Sequence, residues 1–446
     1  MNSVNKIYIS HLKLYLTGLL ILVVQSVHAQ DFESLVKLAW KNNKQLNSKN
    51  FQLESAVSSL KEAKAMYGPN LQIGLLYSLA EGGRKINFPV GDLLNPVYST
   101  LNVLTQSNNF PTINNVEEQF LPNNFYDLRF RITQPLYYPD LAINKKIKSE
   151  TIVLKNLEIK ALKRIIVKDV MNAYFSSVAA RKISEIYWTS DSLLTEAKRV
   201  TQSLIKNGTA LPTALSRIET QMATLSAQKY DAEAQIRNAD HYMKFLVGET
   251  FVESILIDEL PVVESFIYNE REEILQMNQG SKMLSLALEK EKNFYKPKLG
   301  LQLDLGSQDF DFGIEPYVLA GLNVEMNLFD NNKHIYKKSS VQADMTALQL
   351  QKNYTEDQIG LQINIAKENL QSAVKQAETY KIRITAVEKM YSEVLKKYKE
   401  GSVNYLELLD AETQSTQIKL HYTLARQNAW MKWAEYMYAT ASFPIE

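Results

Sequence analysis

Two very long stretches of this chain lack the residues that interrupt helices. From Leu141 to Asn207 there is neither glycine nor proline, and from Asn331 to Glu400 there is only Gly360. Because glycine and proline are the residues least compatible with a helix interior, each stretch predicts one continuous helix. At about 1.5 Å per residue, such a helix extends roughly 100 Å. Helices of this length favour a fold that is mainly α-helical and built from helices packed side by side.

A further helix is predicted after each of the long ones. Thr213–Val247 and Ser402–Phe443 are again free of glycine and proline. A sustained repeat of seven residues packs helices as a coiled coil. The first of the two helices has such a row: Leu211, Ile218, Leu225, Ala232, Ala239 and Leu246. The corresponding row of the second helix is smaller and more polar, so we expect that helix to face water as well.

The chain contains an internal duplication. Three matches in the same order favour duplication over chance. We predict a first repeat at residues 30–250 and a second at 251–446, each reading helix, two strands, very long helix, turn and long helix. The matched strings are Tyr67-Gly-Pro-Asn-Leu71 with Tyr295-Lys-Pro-Lys-Leu299, Leu128–Tyr137 with Ala320–Phe329, and Lys206-Asn-Gly-Thr209 with Lys399-Glu-Gly-Ser402. Eleven residues after the glycine of each last string comes the same sequence, Glu219-Thr-Gln221 and Glu412-Thr-Gln414.

Each repeat has predicted element boundaries. In the first repeat we expect strands at residues 71–79 and 125–137, a long helix at 141–206 and a helix at 211–247. The second repeat is predicted to contain a helix at 263–295, strands at 298–306 and 316–328, a long helix at 332–399 and a last helix at 403–442.

The four predicted strands alternate apolar and polar residues. In the first, Leu71, Ile73 and Leu75 alternate with Gln72 and Gly74. Such alternation gives a strand one apolar and one polar face. One interpretation is a soluble sheet whose apolar face covers a core. The other is a transmembrane barrel with apolar side chains toward lipid, and it is favoured because the neighbouring coiled-coil helices offer no second layer.

Four strands are too few for a barrel. The smallest barrels need about eight strands, and an open edge in lipid would leave backbone groups unpaired. If the strands cross a membrane, the chain must therefore oligomerise. Two copies would supply eight strands, and three copies would supply twelve, enough for a water-filled lumen. The arrangement with three copies predicts a pore that the three chains share.

The N-terminus resembles a secretory signal. Lys6 and Lys13 precede an apolar run from Leu14 to Val24, and small residues end the segment at Ala29. The run is shorter than the ~20 residues of a spanning helix. We therefore predict a signal peptide at residues 1–29, cleaved after Ala29. The mature chain would then be exported, without a transmembrane helix.

Composition excludes several classes of protein. The chain has no cysteine, which excludes disulfides, thiolate metal sites and an acylated cysteine anchor. Its 50 basic and 49 acidic residues argue against nucleic acid as a partner. No hydrolase, nucleotide-binding or zinc-protease motif is present. We predict that the protein is not an enzyme and has no cofactor and no metal site.

The order of these elements resembles the TolC family of outer-membrane efflux and secretion channels. The match covers residues 31–443, and its most specific stretch runs from Tyr398 through Gly401 to Ala411. The resemblance implies a homotrimer in which four strands per chain complete a twelve-stranded barrel in the outer membrane. The long helices would form a periplasmic tunnel. Its narrow end would dock on a periplasmic adaptor, also called a membrane fusion protein, and through it on an inner-membrane transporter.

The same resemblance assigns residues to the narrow end. Gly208 and Gly401 match the glycines of two tip turns, so Lys206–Leu211 is the first tip and Lys399–Asn404 is the second tip. Both tips would face the adaptor. Glu407 and Asp410 match an acidic pair that rings the pore entrance. Their i, i+3 spacing puts them on one helix face, where they would favour cations; an ordinary solvated face is the alternative. The residues assigned to docking are Lys206, Asn207, Gly208, Thr209, Lys399, Glu400, Gly401 and Ser402.

Tyr398 matches a tyrosine that latches the closed tip in family members by bonding to an acidic residue of the first tip. Here the acidic position is Ala214, and a basic position of the latch is Val403. The latch is incomplete in this sequence. Either the closed state uses other interactions or the resting pore is looser.

Two other interpretations remain open at the sequence level. A secreted coiled-coil adhesin or scaffold without a pore would share the helices, and a periplasmic adaptor would share the hairpins. Adaptors usually combine one helical hairpin with small β domains, whereas this chain has two hairpins and amphipathic strands. The segment from Ala80 to Asn123, which joins the first two strands, is either a cover over the outer mouth or a disordered loop.

Overall fold

The structure is a computed structural model that describes residues 32–248, 259–262 and 269–445. The predicted signal peptide at residues 1–29 lies outside the described residues, as does the predicted start of the helix at 263. Within the described part of the chain, no helix has the length and hydropathy required to cross a membrane.

Helices dominate the fold, as predicted. Residues 32–42 form α1. The remaining helices are α2 (Lys44–Ala65), α3 (Val90–Thr105), α4 (Pro139–Lys206), α5 (Pro212–Val247), α6 (Glu272–Lys292), α7 (Lys333–Lys399) and α8 (Tyr405–Ala439). The longest, α4 and α7, contain 68 and 67 residues. The strands are β1 (Asn70–Ser78), β2 (Lys85–Phe88), β3 (Val116–Gln119), β4 (Phe125–Tyr137), β5 (Lys298–Phe310) and β6 (Pro316–Glu325).

The chain divides into two compact units. The helical unit comprises the described residues of Met1–Ala56, Glu150–Lys282 and Asp344–Glu446, and the sheet unit comprises Val57–Ser149 and Met283–Ala343. Each predicted repeat contributes to both units, because its strands lie between helices that belong to the helical unit.

The main sheet is antiparallel and open. Its strand order is β1-β4-β5-β6, so β1 and β6 are its edges. One cross-strand row joins Ile73 to Phe130, Phe130 to Leu305 and Leu305 to Val318. The apolar residues of the four strands therefore share one face, and this face is exposed: Ile73 is 67% and Val318 is 73% accessible in the single chain.

The opposite face of the sheet carries a charged network. Arg131 of β4 donates two hydrogen bonds to Asp304 of β5, each 2.8 Å long. Arg129 pairs with Asp127 at 2.8 Å, and the Tyr317 hydroxyl of β6 donates to Asp127 at 3.1 Å. Polar side chains thus join three strands on this face, and the two acids among them, Asp127 and Asp304, are buried by their partners.

The strand β6 ends earlier than predicted. The alternation extends to residue 328, whereas the strand ends at Glu325. Glu325 pairs with Lys298, which is the first residue of β5. Residues 326–328 therefore have no strand beside them with which to pair. In the same hairpin β5 extends to Phe310, four residues beyond the predicted end at 306.

The segment between β1 and β4 is ordered. β2 and β3 pair antiparallel, and α3 lies between them in the chain. Asn95 of α3 both donates to and accepts from the backbone of Ile113, with distances of 2.9 Å. Asn102, two turns later, does the same with Phe110 at 2.8 and 3.1 Å. These four bonds hold α3 against residues 110–113, so the disordered-loop interpretation is wrong.

The core of the helical unit is divided into separate apolar clusters. Its largest cluster includes Val170, Met171 and Phe175 of α4, together with Met243 of α5 and Met437 of α8. Beside it, the buried Arg164 and Glu272 form a two-bond pair of 2.6 and 2.9 Å. Burying such charges is tolerable only with close pairing, so this contact fixes the start of α6 on α4.

Candidate functional site

The two tip turns have the same backbone geometry. Gly208 ends α4 and Gly401 ends α7, and both have φ of 72°. In each turn the glycine N–H donates to the carbonyl three residues earlier, and the next N–H donates to the carbonyl five residues earlier. This is the Schellman arrangement, in which a left-handed residue satisfies the last helix carbonyls. A side chain at either glycine would be strained.

The residues after the glycines extend this likeness. The hydroxyls of Thr209 and Ser402 each donate to the carbonyl five residues earlier, at 3.0 Å. The following helices begin differently. α5 starts with Pro212 at its first position, whereas the Asn404 side chain caps α8 by accepting from the N–H groups of Leu406 and Glu407.

The two tips lie beside each other. Apolar side chains of all four helices meet there in one cluster, which we call the tip core: Ala197 and Val200 of α4, Ile218 of α5, Tyr391 and Tyr398 of α7, and Leu408 and Ala411 of α8. An ion pair of 3.2 Å between Glu196 of α4 and Lys399 of α7 joins the two hairpins at the surface. Arg199 and Lys399 lower the pKa of Glu196 to about 2.

The residues assigned to docking are all exposed in the single chain. This holds for the first set, Lys206, Asn207, Gly208 and Thr209, and for the second, Lys399, Glu400, Gly401 and Ser402. Because the tip core holds both turns in place, the eight residues form one polar surface at the end of the helical unit. Its composition, with lysines, amides and hydroxyls, suits a polar partner.

Tyr398 is buried in the tip core, and its hydroxyl contacts a polar group of α4. It is 2% exposed, and its hydroxyl lies 2.6 Å from the Thr201 hydroxyl. Thr201 has a single hydroxyl proton, which it donates to the Ala197 carbonyl at 2.8 Å. Tyr398 is therefore the donor to Thr201. The tyrosine thus bonds to α4 through a threonine, and Ala214, at the position where the sequence comparison placed an acidic latch residue, is fully buried.

Glu407 and Asp410 lie on the exposed side of α8. Both are exposed, whereas Leu408 between them is buried in the tip core. Asp410 accepts a hydrogen bond of 2.8 Å from Gln414 on the same helix. Each carboxylate is therefore open to solvent in the single chain, one turn beyond the second tip.

Comparison with known structures identifies the fold. The chain matches the outer-membrane channel OprN over 92% of its length and 90% of that chain, with a TM-score of 0.72 and 14% identity. It matches the outer membrane protein VceC from Vibrio cholerae over 92% and 96%, with a TM-score of 0.71 and 14% identity. It matches the Campylobacter jejuni CmeC outer membrane channel over 92% of its length and 85% of that chain, with a TM-score of 0.71 and 13% identity. The chain has the TolC-family channel fold.

No protein-family profile and no curated protein matches the sequence. The likeness therefore rests on structure, at an identity well below the level at which sequences align reliably. It nevertheless confirms the predicted fold class, with long helices and four strands in the main sheet of each chain. The match covers at least 85% of the length of each of these three channels.

Sequence reasoning missed two residues at the tips of this TolC-fold chain. Thr201 was not predicted as the partner of Tyr398, because it occupies an ordinary helical position. Glu412, which the sequence marks only as part of the repeated Glu-Thr-Gln string, is 2% exposed and lies beside the tip core. The sequence feature that could have identified Glu412 is a charged residue on the same face of α8 as the apolar residues Leu408 and Ala411. Within the described residues, no group of histidines and carboxylates could hold a metal ion.

Proposed function

We propose that the protein is a homotrimeric outer-membrane channel that serves as the exit duct of a tripartite efflux pump. The main observation in support is the open sheet, with two unpaired edges and one exposed apolar face. In lipid every backbone group must be paired, so a chain with this sheet requires further copies. Two proteins that share the fold, OprN and CmeC, are outer-membrane channels.

The order of the sheet suits closure by identical copies. Successive strands β1, β4, β5 and β6 are antiparallel. With four strands per chain, β6 of one copy can pair antiparallel with β1 of the next, without a change of pattern. Three copies would give twelve strands, with the apolar faces toward lipid and the Arg131–Asp304 network toward the lumen.

The helical unit would form the periplasmic tunnel. Its exposed tips, Lys206–Leu211 and Lys399–Asn404, would dock on a periplasmic adaptor bound to an inner-membrane transporter. The duct itself is passive and the inner-membrane partner supplies the energy. A type I secretion system is the alternative setting. Export would follow cleavage of residues 1–29 after Ala29.

The first test is the mass of the detergent-solubilised protein after separation of the inner and outer membranes. We expect three copies in the outer-membrane fraction, and stepwise ionic currents when the protein is added to a planar bilayer. A monomer recovered from the periplasm without detergent would contradict the duct. It would favour the rival proposal, a secreted coiled-coil scaffold or adhesin without a pore.

Tyr398 is proposed to hold the entrance closed through Thr201. Tyr398→Phe removes the buried hydroxyl that donates to Thr201, at a cost of about 1 kcal/mol per chain. We expect the ratio of open to closed channels to rise about fivefold for each chain that must open. The measurement is the open probability in a planar bilayer at fixed voltage.

The control for this prediction removes the same bond from its other side. Thr201→Val should raise the open probability to a similar extent, and the double variant should add little to either single change. Additive effects, or an unchanged open probability in Tyr398→Phe, would show that this bond does not close the entrance.

A further inference from the structure

Glu412 of α8 is a buried carboxyl without a positively charged partner among the described residues. It is 2% exposed, and its Oε1 atom accepts hydrogen bonds from two hydroxyls. One is Ser190 of α4, itself 3% exposed; the other is Thr416, one turn further along α8, at 2.9 Å. Both donors are neutral, so an ionised carboxylate here would keep its charge uncompensated inside the protein.

In the first hairpin, formed by α4 and α5, the residue equivalent to Glu412 is exposed and ion-paired. The duplicated string places Glu219 of α5 at the position of Glu412. Glu219 is about half exposed and forms an ion pair of 2.9 Å with Lys198 of α4. Lys198 precedes Lys206 by eight residues, and the residue that precedes Lys399 by eight is Tyr391. The second hairpin therefore keeps the acid, buries it and replaces the cation with a tyrosine.

The surroundings of Glu412 favour its neutral form. From α7, the titratable group near it is Tyr391, whose pKa is raised to about 12 by burial and by the charges of Glu412 and Glu196. From α4, Ser190 is neutral, and Glu196 is itself paired with Arg199 and Lys399. Burial raises the pKa of Glu412, and the two hydroxyl bonds oppose that rise only in part.

We propose that Glu412 is a proton-sensitive positioning residue of the pore entrance. The protonated carboxyl keeps α8 packed on α4 in the closed tip, and ionisation favours separation of the two helices and an open entrance. This inference rests on the proposed function, because it takes the tip to be the gate. It is independent of Tyr398, which bonds to α4 about three turns from Ser190.

The direction of the pH effect follows from linkage. In a separated tip the carboxyl is in water and has the ordinary glutamate pKa of about 4.3. In the packed tip its pKa is higher, so closing the tip takes up a proton. The closed state is therefore fully favoured below the ordinary value and is lost as pH rises through the raised value. Within that window the ratio of open to closed changes up to tenfold per pH unit for each carboxyl.

The test compares the full-length wild-type protein with Glu412→Gln, which mimics the protonated acid. Glu219→Gln is the matched control, since it removes the equivalent but ion-paired and half-exposed carboxyl. Two readouts are taken between about pH 4 and pH 8. They are hydrogen exchange of the peptides around Ser190 and Glu412, measured by mass spectrometry, and the open probability in planar bilayers. Comparison at each pH cancels the intrinsic pH dependence of exchange.

We expect protection of both peptides to fall and open probability to rise with pH in the wild type and in Glu219→Gln. Glu412→Gln should show neither change and should match the wild type at the lowest pH, which also reports its folding. A second variant, Tyr391→Lys, supplies the cation that the first hairpin has and should likewise flatten both profiles.

Identical pH profiles of the wild type and Glu412→Gln, in exchange and in current, would overturn the inference. If exchange depends on pH through Glu412 but no protein carries current, the proton-sensitive packing stands and the proposed duct fails. If currents are normal and Glu412→Gln leaves their pH dependence intact, the duct stands and the role of Glu412 fails.

Discussion

Ile73→Arg is expected to abolish assembly of the trimer in the outer membrane. Ile73 lies near the middle of β1, on the exposed apolar face, in the row that continues through Phe130 and Leu305. An arginine that faces lipid near the bilayer midplane costs about 2–4 kcal/mol in a transmembrane barrel. Because three chains share one barrel, this cost is incurred three times. The measurement is the amount of trimer in the outer-membrane fraction after detergent extraction and native electrophoresis.

The matched control is Gln72→Arg, at the adjacent residue of the same strand. Gln72 pairs with Arg131 and points to the opposite, polar face. If that face lines a water-filled lumen, a further arginine is solvated there. Its repulsion from Arg131, the residue opposite, costs no more than about 1 kcal/mol, so the trimer persists. A soluble sheet with its apolar face on a core would also suffer from Ile73→Arg, but it would then yield no outer-membrane trimer in the wild type. Equal loss of trimer in both variants would contradict the assignment of the two faces.

The part of the fold that could be predicted from sequence is the part with a regular period. Ile218, Leu225 and Ala232 are buried in α5, as the seven-residue row predicts, whereas Leu211 is 70% exposed because it precedes the helix as its cap. The strands were predicted because alternation survives in each of them. The division into two repeats stays a prediction, although the matching turns at Gly208 and Gly401 favour it.

The small helix α3 could not be predicted because its order comes from tertiary contacts. The segment around it contains Gly82, Gly83 and several prolines, one of which, Pro96, lies inside the helix. These residues predict a loop. What holds α3 is the pair of asparagines, Asn95 and Asn102, that bond to the backbone at Ile113 and Phe110. Asparagine is also common in turns and loops, so the positions of these two residues in the sequence do not predict an ordered helix.

At the tips, too, contacts between distant residues could not be predicted from the sequence. The glycines and the acidic pair could be assigned because a resemblance of sequence reaches them. The bond from Tyr398 to Thr201 could not, because the two residues are 197 positions apart and neither has a local pattern that marks the contact. The assignment of Ala214 to the acidic latch position stays a prediction, whereas the bond between Tyr398 and Thr201 is visible only in three dimensions.

The second large effect is expected from the acidic pair at the proposed entrance. In Glu407→Gln with Asp410→Gln, a trimer loses six carboxylates around one axis. A unit charge about 4 Å from a permeating ion contributes about 1 kcal/mol even in a water-like medium. We therefore expect the ratio of cation to anion permeability to fall at least about fivefold. The reversal potential across a planar bilayer with a salt gradient measures that ratio.

Salt dependence and a charge-matched control decide whether the pair acts at a constriction. The Debye length, beyond which a charge is largely screened, is roughly 30 Å at 0.01 M salt and 3 Å at 1 M. The difference between variant and wild type should therefore be largest in dilute salt and should shrink in concentrated salt.

The control variant is Glu368→Gln with Glu378→Gln, which removes the same number of charges from exposed positions of α7. Glu378 is 21 residues from the end of α7 at Lys399, which is about 32 Å along a helix. That control should retain the wild-type reversal potential. If it shifts the potential as much as the Glu407–Asp410 variant does, selectivity follows the overall charge of the protein, and these two carboxylates belong to an ordinary solvated helix face.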